Sequence, residues 1–296
     1  MVKNNIKKKI KILLLGSNGQ LGSTFNEVFK SKKDIILYSY TKNKLDILNK
    51  TKLEKKIKLI RPDFIINCAA FTNVPLAEKK KTLCDLINET AVNRLGNLTY
   101  KYKSFLIHFS TDFVFNGKKK LPYSEKDRPN PINHYGISKL NGELKLKLTK
   151  CNFIIFRVSW VFSDKGKNFL LKICDLLRNQ KIIKVTKTEI GFPTSCKSIA
   201  NSLYFSINKL KFFNREIFHL SGNDYVSRFD YVKYILKYYG KKKKLKCKKI
   251  IPIKKILHDN IKRPKNSCLD SLKFSKSFNI NLPNWRREVR YYLNRL

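Results

Sequence analysis

An aliphatic run, Ile10 to Leu15, stops at Gly16; Gly19 and Gly22 come next at three-residue intervals, and Leu21, Phe25, Val28 and Phe29 recur at helical spacing. The run reads as a short strand, the glycines as a tight turn and the periodic stretch as a helix. Between a strand and a helix, the string Gly16-Ser17-Asn18-Gly19-Gln20-Leu21-Gly22 has the form of a dinucleotide-binding turn. Glycines there let the backbone bend sharply and approach a pyrophosphate at the positive end of the helix. Glycine turns also simply join strands to helices, so the reading depends on the rest of the chain.

Downstream of α-helical residue Phe29 the strand-helix unit recurs. A second strand is expected at Asp34 to Tyr38, a helix at about Asn49 to Leu59, and a buried strand at Phe64 to Ile66 after the Arg61-Pro62 turn. A helix over about Leu83 to Tyr102, a strand at Phe105 to Phe109 ending in Ser110-Thr111-Asp112, a helix from about Tyr135 to Leu148 and a strand at Phe153 to Val158 complete the series. Repeated βα units imply an α/β chain with a Rossmann-like, doubly wound parallel sheet covered by helices on both faces. Beyond about residue 160 the pattern loosens, and Pro193, Pro252, Pro264 and Pro283 punctuate shorter elements. The expected organisation is an NAD(P)-binding Rossmann-like domain over 1–160 and a smaller, mostly substrate-binding C-terminal lobe over 161–296, with some segments returning to the sheet. A chain of 296 residues is long enough to bury a core for both.

The chain carries 64 Lys and Arg against 21 Asp and Glu, a net charge of +43. That balance ordinarily suggests a nucleic acid or another polyanion as partner. Two features argue against it. The lysines fall on nearly every polar segment, as at Lys118 to Lys120 and Lys241 to Lys244, instead of forming one stripe interleaved with aromatics. Lys, Asn, Ile, Phe and Tyr, all abundant here, also share A/T-rich codons, so genome composition can account for much of the charge. Seven cysteines, an odd number with no Cys-x-x-Cys pair and no clustered His, support neither a zinc module nor a disulfide framework. Lysines interrupt every hydrophobic segment well short of the ~20 residues that span a membrane. The run Ile12 to Leu15 is too short for a signal-peptide core. A cytoplasmic protein with no membrane partner is expected.

Tyr135 and Lys139 stand four residues apart, on one face of their expected helix. A nearby ammonium stabilises a phenolate, which lets Tyr135 exchange a proton with a substrate oxygen near neutral pH. In a chain this rich in both residues a surface pair is the competing reading. Position favours chemistry, because the pair comes one helix after Ser110-Thr111, at the C-terminal end of a strand, where open α/β sheets place their ligands. The end of the second strand, Ser39-Tyr40-Thr41-Lys42, has no carboxylate for a ribose 2′-hydroxyl, whereas Lys42 suits a 2′-phosphate. This leans toward NADPH over NADH, with a plain surface lysine as the alternative.

Further strings occur in order over almost the whole chain. They are Leu45-Asp46-Ile47, Arg61-Pro62-Asp63, Asn67-Cys68-Ala69-Ala70-Phe71-Thr72 and Ser110-Thr111-Asp112-Phe113-Val114-Phe115, then Tyr135-Gly136-x-Ser138-Lys139-Leu140-x-Gly142-Glu143 and Phe156-Arg157-Val158-Ser159-Trp160-Val161. Asn168-Phe169, Gly191-x-Pro193-Thr194 and Arg263-Pro264-x-Asn266-Ser267 complete them. With them the chain resembles the extended short-chain dehydrogenase/reductase family, and within it the reductases that convert dTDP-4-dehydro-β-L-rhamnose to dTDP-L-rhamnose. The resemblance implies NADPH or NADH as cofactor, a dTDP-sugar as substrate and a place in dTDP-rhamnose supply for cell-surface polysaccharide. It implies that Gly19, Gln20 and Leu21 hold the pyrophosphate, Asp46 and Ile47 border the adenine, and Ala70, Phe71 and Thr72 line the cofactor cleft, with Gly16, Asn18, Gly22 and Ser39 completing the set. Thr111, Tyr135 and Lys139 are the implied catalytic residues, the last two also touching cofactor. Thr111, Asp112 and Trp160 are assigned to the sugar-nucleotide pocket and Arg263 to the substrate's diphosphate. For Trp160, core packing is the alternative. The resemblance also allows a homodimer with Mg2+ at the subunit interface, for which no residue is assigned.

Three positions depart from the family pattern. Pro75 replaces an Asp before Ala77-Glu78, altering a loop or helix cap; Phe113 replaces a frequent Tyr; Lys187-Thr188-Glu189 replaces Asn-Asp-Gln. These bear on substrate contacts and metal-bridged dimers and leave the catalytic set intact. Related dehydratases place an Asp-Glu pair after the threonine, and Asp112-Phe113 is an incomplete version of it. The alternatives left are another sugar-nucleotide reductase or epimerase, and a non-catalytic NADP-binding subunit resembling the regulatory subunit of methionine adenosyltransferase. Retention of Thr111, Tyr135 and Lys139 together favours catalysis.

Overall fold

In the computed structural model, which describes residues 8–254 and 261–296, the aliphatic run becomes β1 (Ile10–Leu15) and the periodic stretch α1 (Gln20–Lys30). There follow β2 (Ile35–Tyr40), α2 (Lys50–Ile60), β3 (Phe64–Asn67), the short helices α3 (Val74–Lys79) and α4 (Lys81–Asp85), and α5 (Ala91–Lys101). Next come β4 (Phe105–Thr111), α6 (His134–Leu148) and β5 (Asn152–Val158). The strands pair in parallel in the order β2-β1-β3-β4-β5, and the strand Glu216–His219 joins the β5 edge as a sixth. Succession reverses at β1, which opens a crevice beyond the C-terminal ends of β1 and β3.

The strands lack polar alternation because both faces are covered. Ile12 and Leu14 share a core with Phe25 and Phe29 of α1 and with Ile199 and Leu203 of the helix Cys196–Ser206. Leu13 and Leu15 point the other way, into a core with Leu53 and Ile57 of α2 and Val92 and Leu95 of α5. After residue 160 the chain divides its labour. The strand Glu216–His219 and the helices Cys196–Ser206 and Leu272–Phe278 pack on the main sheet. The helices Phe169–Asn179, Arg228–Tyr239 and Trp285–Leu293 build a separate apolar cluster beside the parallel pair Ile182–Thr186 and Lys249–Ile253.

Between β3 and β4 the structure departs from the single expected helix. Asn73 caps α3 by accepting from Leu76 N at 3.0 Å, and Pro75 sits in the first turn, where a missing N–H costs nothing. The departure at Pro75 is therefore a helix start. A π-helical turn at Leu86–Thr90 separates α4 from α5, and Asn88 within it is buried. Its amide spans to Phe71, accepting from the backbone N–H (2.8 Å) and donating to the carbonyl (3.0 Å), and also donates to Ser138 Oγ (3.0 Å).

Candidate active site

At the crevice a cavity of about 390 Å³ is lined by Gly16, Asn18, Gly19, Lys42, Asp46, Ile47, Ala70, Phe71 and Thr72, among others. The glycines have distinct parts. Gly16 has φ +74°, and a Cβ there would come within 2.7 Å of Ala69 N; at Gly22 a Cβ would lie 2.2 Å from Gly16 O. Those two serve the turn itself. At Gly19 a Cβ would meet only Gly16 O, at 3.4 Å, so its open side faces the cavity. No side chain caps α1, and no acidic residue stands in its first turn. Its leading N–H groups are left for an anion, which is what a dinucleotide pyrophosphate requires. Gln20, Leu21 and Gly22 do not line the cavity; Leu21 packs on the core and Gln20 lies under Gly166, so each offers backbone only. Ser39 is paired with Leu14 inside the sheet, and it is Lys42 that reaches the wall.

Thr111 closes β4. Its hydroxyl donates to Asp112 Oδ1 (3.1 Å) and accepts from Phe113 N (3.2 Å). Asn133 caps α6 by accepting from Gly136 N at 2.8 Å, and a Cβ at Gly136 would lie 2.2 Å from Phe113 O. The helix start thus rests directly on the turn after β4, which sets the Tyr135 ring edge-on to Phe113, ring centres 5.5 Å apart, and beside Thr111. Burial pushes the phenol pKa well above its ordinary value, and Thr111 partly opposes this. Lys139 is buried. Its Nζ donates to Phe109 O at 2.7 Å and lies 3.3 Å from His108 Nε2. Burial lowers its pKa to about 8 against the pull of Glu143. The expected depression of the phenol by Lys139 is not seen: the lysine is turned onto β4, and burial governs Tyr135. Asp112 is also buried, which raises its pKa to about 6 against hydrogen bonds from Ser267 and Thr111.

A second cavity, about 520 Å³, is lined by Phe113, Trp160, Phe169, Lys172, Lys184, Arg228, Arg263 and Ser267, among others. Trp160, half-buried with φ +43°, both packs against the C-terminal apolar cluster and lines this cavity. The Arg228 guanidinium lies 3.5 Å from the Trp160 ring centre and 4.3 Å from that of Phe169, and Glu189 stands 3.5 Å from its Nε. An aromatic wall with four cations suits a nucleoside diphosphate. Arg228, His108 and Asn88 were not identified from the sequence. Only Arg228 carried a signal, and a weak one, as one of twelve arginines among 64 basic residues. Among the described residues, Cys84, Asp85 and His134 bring three potential metal ligands within 4.8 Å. His134 Nε2 already meets Asp85 at 2.9 Å and Cys84 Sγ meets Ser138 Oγ at 3.1 Å.

The model of the RmlD substrate binding domain matches residues 10–296. The chain is 30% identical over 293 residues to a dTDP-4-dehydrorhamnose reductase from Sinorhizobium fredii, covering 95% of this chain and 96% of the relative. It is likewise 30% identical over 293 residues to the Escherichia coli enzyme of that name, covering 96% and 97%. A dTDP-4-dehydrorhamnose reductase from Bacillus anthracis solved in complex with NADP superposes with a TM-score of 0.89 at 29% identity, over 97% of this chain and all of that one. A UDP-glucose 4-epimerase from Thermotoga maritima shares the fold, with a TM-score of 0.79 at 15% identity over 96% and 98%.

Proposed function

This chain belongs to the RmlD substrate binding domain family, and from that membership we propose that it reduces the 4-keto group of dTDP-4-dehydro-β-L-rhamnose to yield dTDP-L-rhamnose, with NADPH as cofactor. It is an NAD(P)H-dependent oxidoreductase. The carrying observation is that α6 starts against the turn after β4 and so sets Tyr135 beside Thr111 at the strand end. The pair lies beyond the same sheet edge as a cleft fitted for a dinucleotide and beside a basic, aromatic cavity.

When bound, NADPH supplies the hydride to the carbonyl carbon. Tyr135 donates its proton to the carbonyl oxygen as charge develops there, and burial keeps the phenol in the neutral, donating form. Thr111 provides a second hydrogen bond to that oxygen. Lys139, once a ribose hydroxyl competes for it, holds the nicotinamide ribose. Trp160 and Asp112 bound the sugar, while Arg263 and its cationic neighbours meet the diphosphate. Lys42 at the far end of the cleft meets a 2′-phosphate. In this reading residues 1–160 hold the cofactor and 161–296 mostly the substrate. The enzyme works in the cytoplasm as a homodimer and takes no nucleic acid; no described helix is long and apolar enough to cross a membrane.

The test is absorbance loss of NADPH with the dTDP-4-keto sugar, set beside direct NADPH binding. Tyr135→Phe should lower kcat by ~10²- to 10⁴-fold with little change in substrate affinity. Near-parental kcat in that variant overturns the mechanism. A parent that binds NADPH without consuming it supports the non-catalytic alternative.

A further inference from the structure

Asn67 ends β3 and stands opposite His108 on β4, both buried. Asn67 Oδ1 accepts from Ala69 N–H at 3.1 Å, which orients the amide so that its Nδ2 lies 3.2 Å from His108 Nδ1. An amide nitrogen only donates, so Nδ1 must accept. The imidazole is neutral, since burial holds its pKa far below the usual range. Its single proton therefore sits on Nε2, facing Lys139 Nζ at 3.3 Å. An ammonium there would set donor against donor. A neutral amine accepts from Nε2–H and still donates to Phe109 O at 2.7 Å.

We propose that Asn67 and His108 are positioning residues that fix the histidine tautomer so as to favour the amine form of Lys139, and that they tie this state to Ala69 on the wall of the cofactor cleft. Glu143, one turn further along α6, is the opposing charge, but two hydrogen bonds of 2.9 and 2.6 Å commit it to Arg157. The remaining titratable groups around Lys139 are the thiols of Cys84 and Cys68. Burial brings the lysine pKa down to about 8, and the clash between an ammonium and Nε2–H pushes further toward the amine. The ammonium is the form that attracts the developing alkoxide charge, so kcat should fall as pH rises through the lysine pKa.

The tautomer is read directly from ¹⁵N spectra of histidine-labelled protein, where His108 should carry its proton on Nε2. Asn67→Asp replaces donor by acceptor in the same shape. It should move the proton to Nδ1, free Nε2 to accept from an ammonium, and shift the alkaline limb of the kcat profile upward by about one pH unit. A purely structural role would lower Tm and rate while leaving that limb in place. A parent with the proton on Nδ1 overturns the proposal even where the variant does not fold. So does a folded variant whose tautomer flips while the limb stays. The kinetic arm rests on the proposed reductase activity; should that activity be absent, the ¹⁵N spectra still decide the tautomer by themselves.

Discussion

Gly19 and Gly22 sit three residues apart in one turn, yet valine at the two positions should have opposite outcomes. Gly19 has φ −70° and ψ 165°, which any residue adopts, and its added side chain would project into the dinucleotide cavity. Gly19→Val should fold with near-parental Tm and lose NADPH binding by calorimetry, whereas Gly22→Val, driven onto Gly16 O, should fail to fold. Equal NADPH affinity in Gly19→Val and parent would mean that the turn does not hold the cofactor. Asp112 supports a second prediction. Its folded pKa, about 6, lies above its unfolded value, so the folded state binds the extra proton and stability falls as pH rises from about 4 to about 6. Asp112→Asn should then raise stability at neutral pH by up to roughly 3 kcal/mol and change little at pH ~4, as read from denaturant midpoints at both pH values. The nearness of Thr111 and Tyr135 was legible in the sequence, because one strand end and the next helix start carry them, whereas the turn of Lys139 onto β4 was not. Asn88 and His108 were not, because the oxygen partners Phe71 and Ser138 of Asn88 lie 17 and 50 residues away and the partners of His108 31 and 41.

Helix ends show how the chain manages with 11 glycines. Lys103 follows α5 with φ +54°, its N–H bonded to Tyr100 O (3.1 Å) and that of Ser104 to Thr99 O (3.0 Å), the paired bonds of a Schellman end. A left-handed lysine is strained, and among the described residues no side-chain hydrogen bond of Lys103 offsets the strain. Lys103→Gly should therefore stabilise by ~0.5–1 kcal/mol in a urea titration. Arg215 has φ +64°, but its guanidinium donates to the carbonyls of Lys147, Thr149 and Cys151, so Arg215→Gly should destabilise instead. Elements of the main sheet were legible to within a few residues, since strands buried on both faces leave unbroken apolar runs. The strand Glu216–His219 was not placed: four residues at a sheet edge, two of them polar, carry no period. The helix α3 escaped for a related reason, whereas α4 overlaps the start of the helix expected from about Leu83. The run Lys79-Lys80-Lys81 interrupts any apolar spacing, and only the Asn73 cap and Pro75 mark a start.

Over the whole molecule the net charge of +43 acts as self-repulsion, and several of the ion pairs that could relieve it among the described residues are exposed, as between Lys101 and Glu54 or Lys165 and Glu27. Such pairs contribute little. Arg157 with Glu143 is buried, but it opposes only one positive charge with one negative. Salt should therefore stabilise this protein by screening repulsion. Tm is expected to rise by several degrees between ~0.02 and ~0.3 M NaCl, where the Debye length shrinks from about 20 to about 6 Å. The lysines Lys241 to Lys244 separate this general effect from a specific site. They come after the helix Arg228–Tyr239, whose 12 residues set them roughly 18 Å along its axis from Arg228 on the wall of the second cavity. That distance exceeds the ~8 Å Debye length at physiological ionic strength. Replacing all four by Gln should leave kcat and KM within about twofold of the parent at that salt, raise Tm modestly at low salt, and flatten the salt dependence of Tm. Steady-state kinetics and thermal melts at both salt concentrations test the expectation. A large loss of turnover at physiological salt would place this cluster in a binding site or an interface, and the charge would then have a partner.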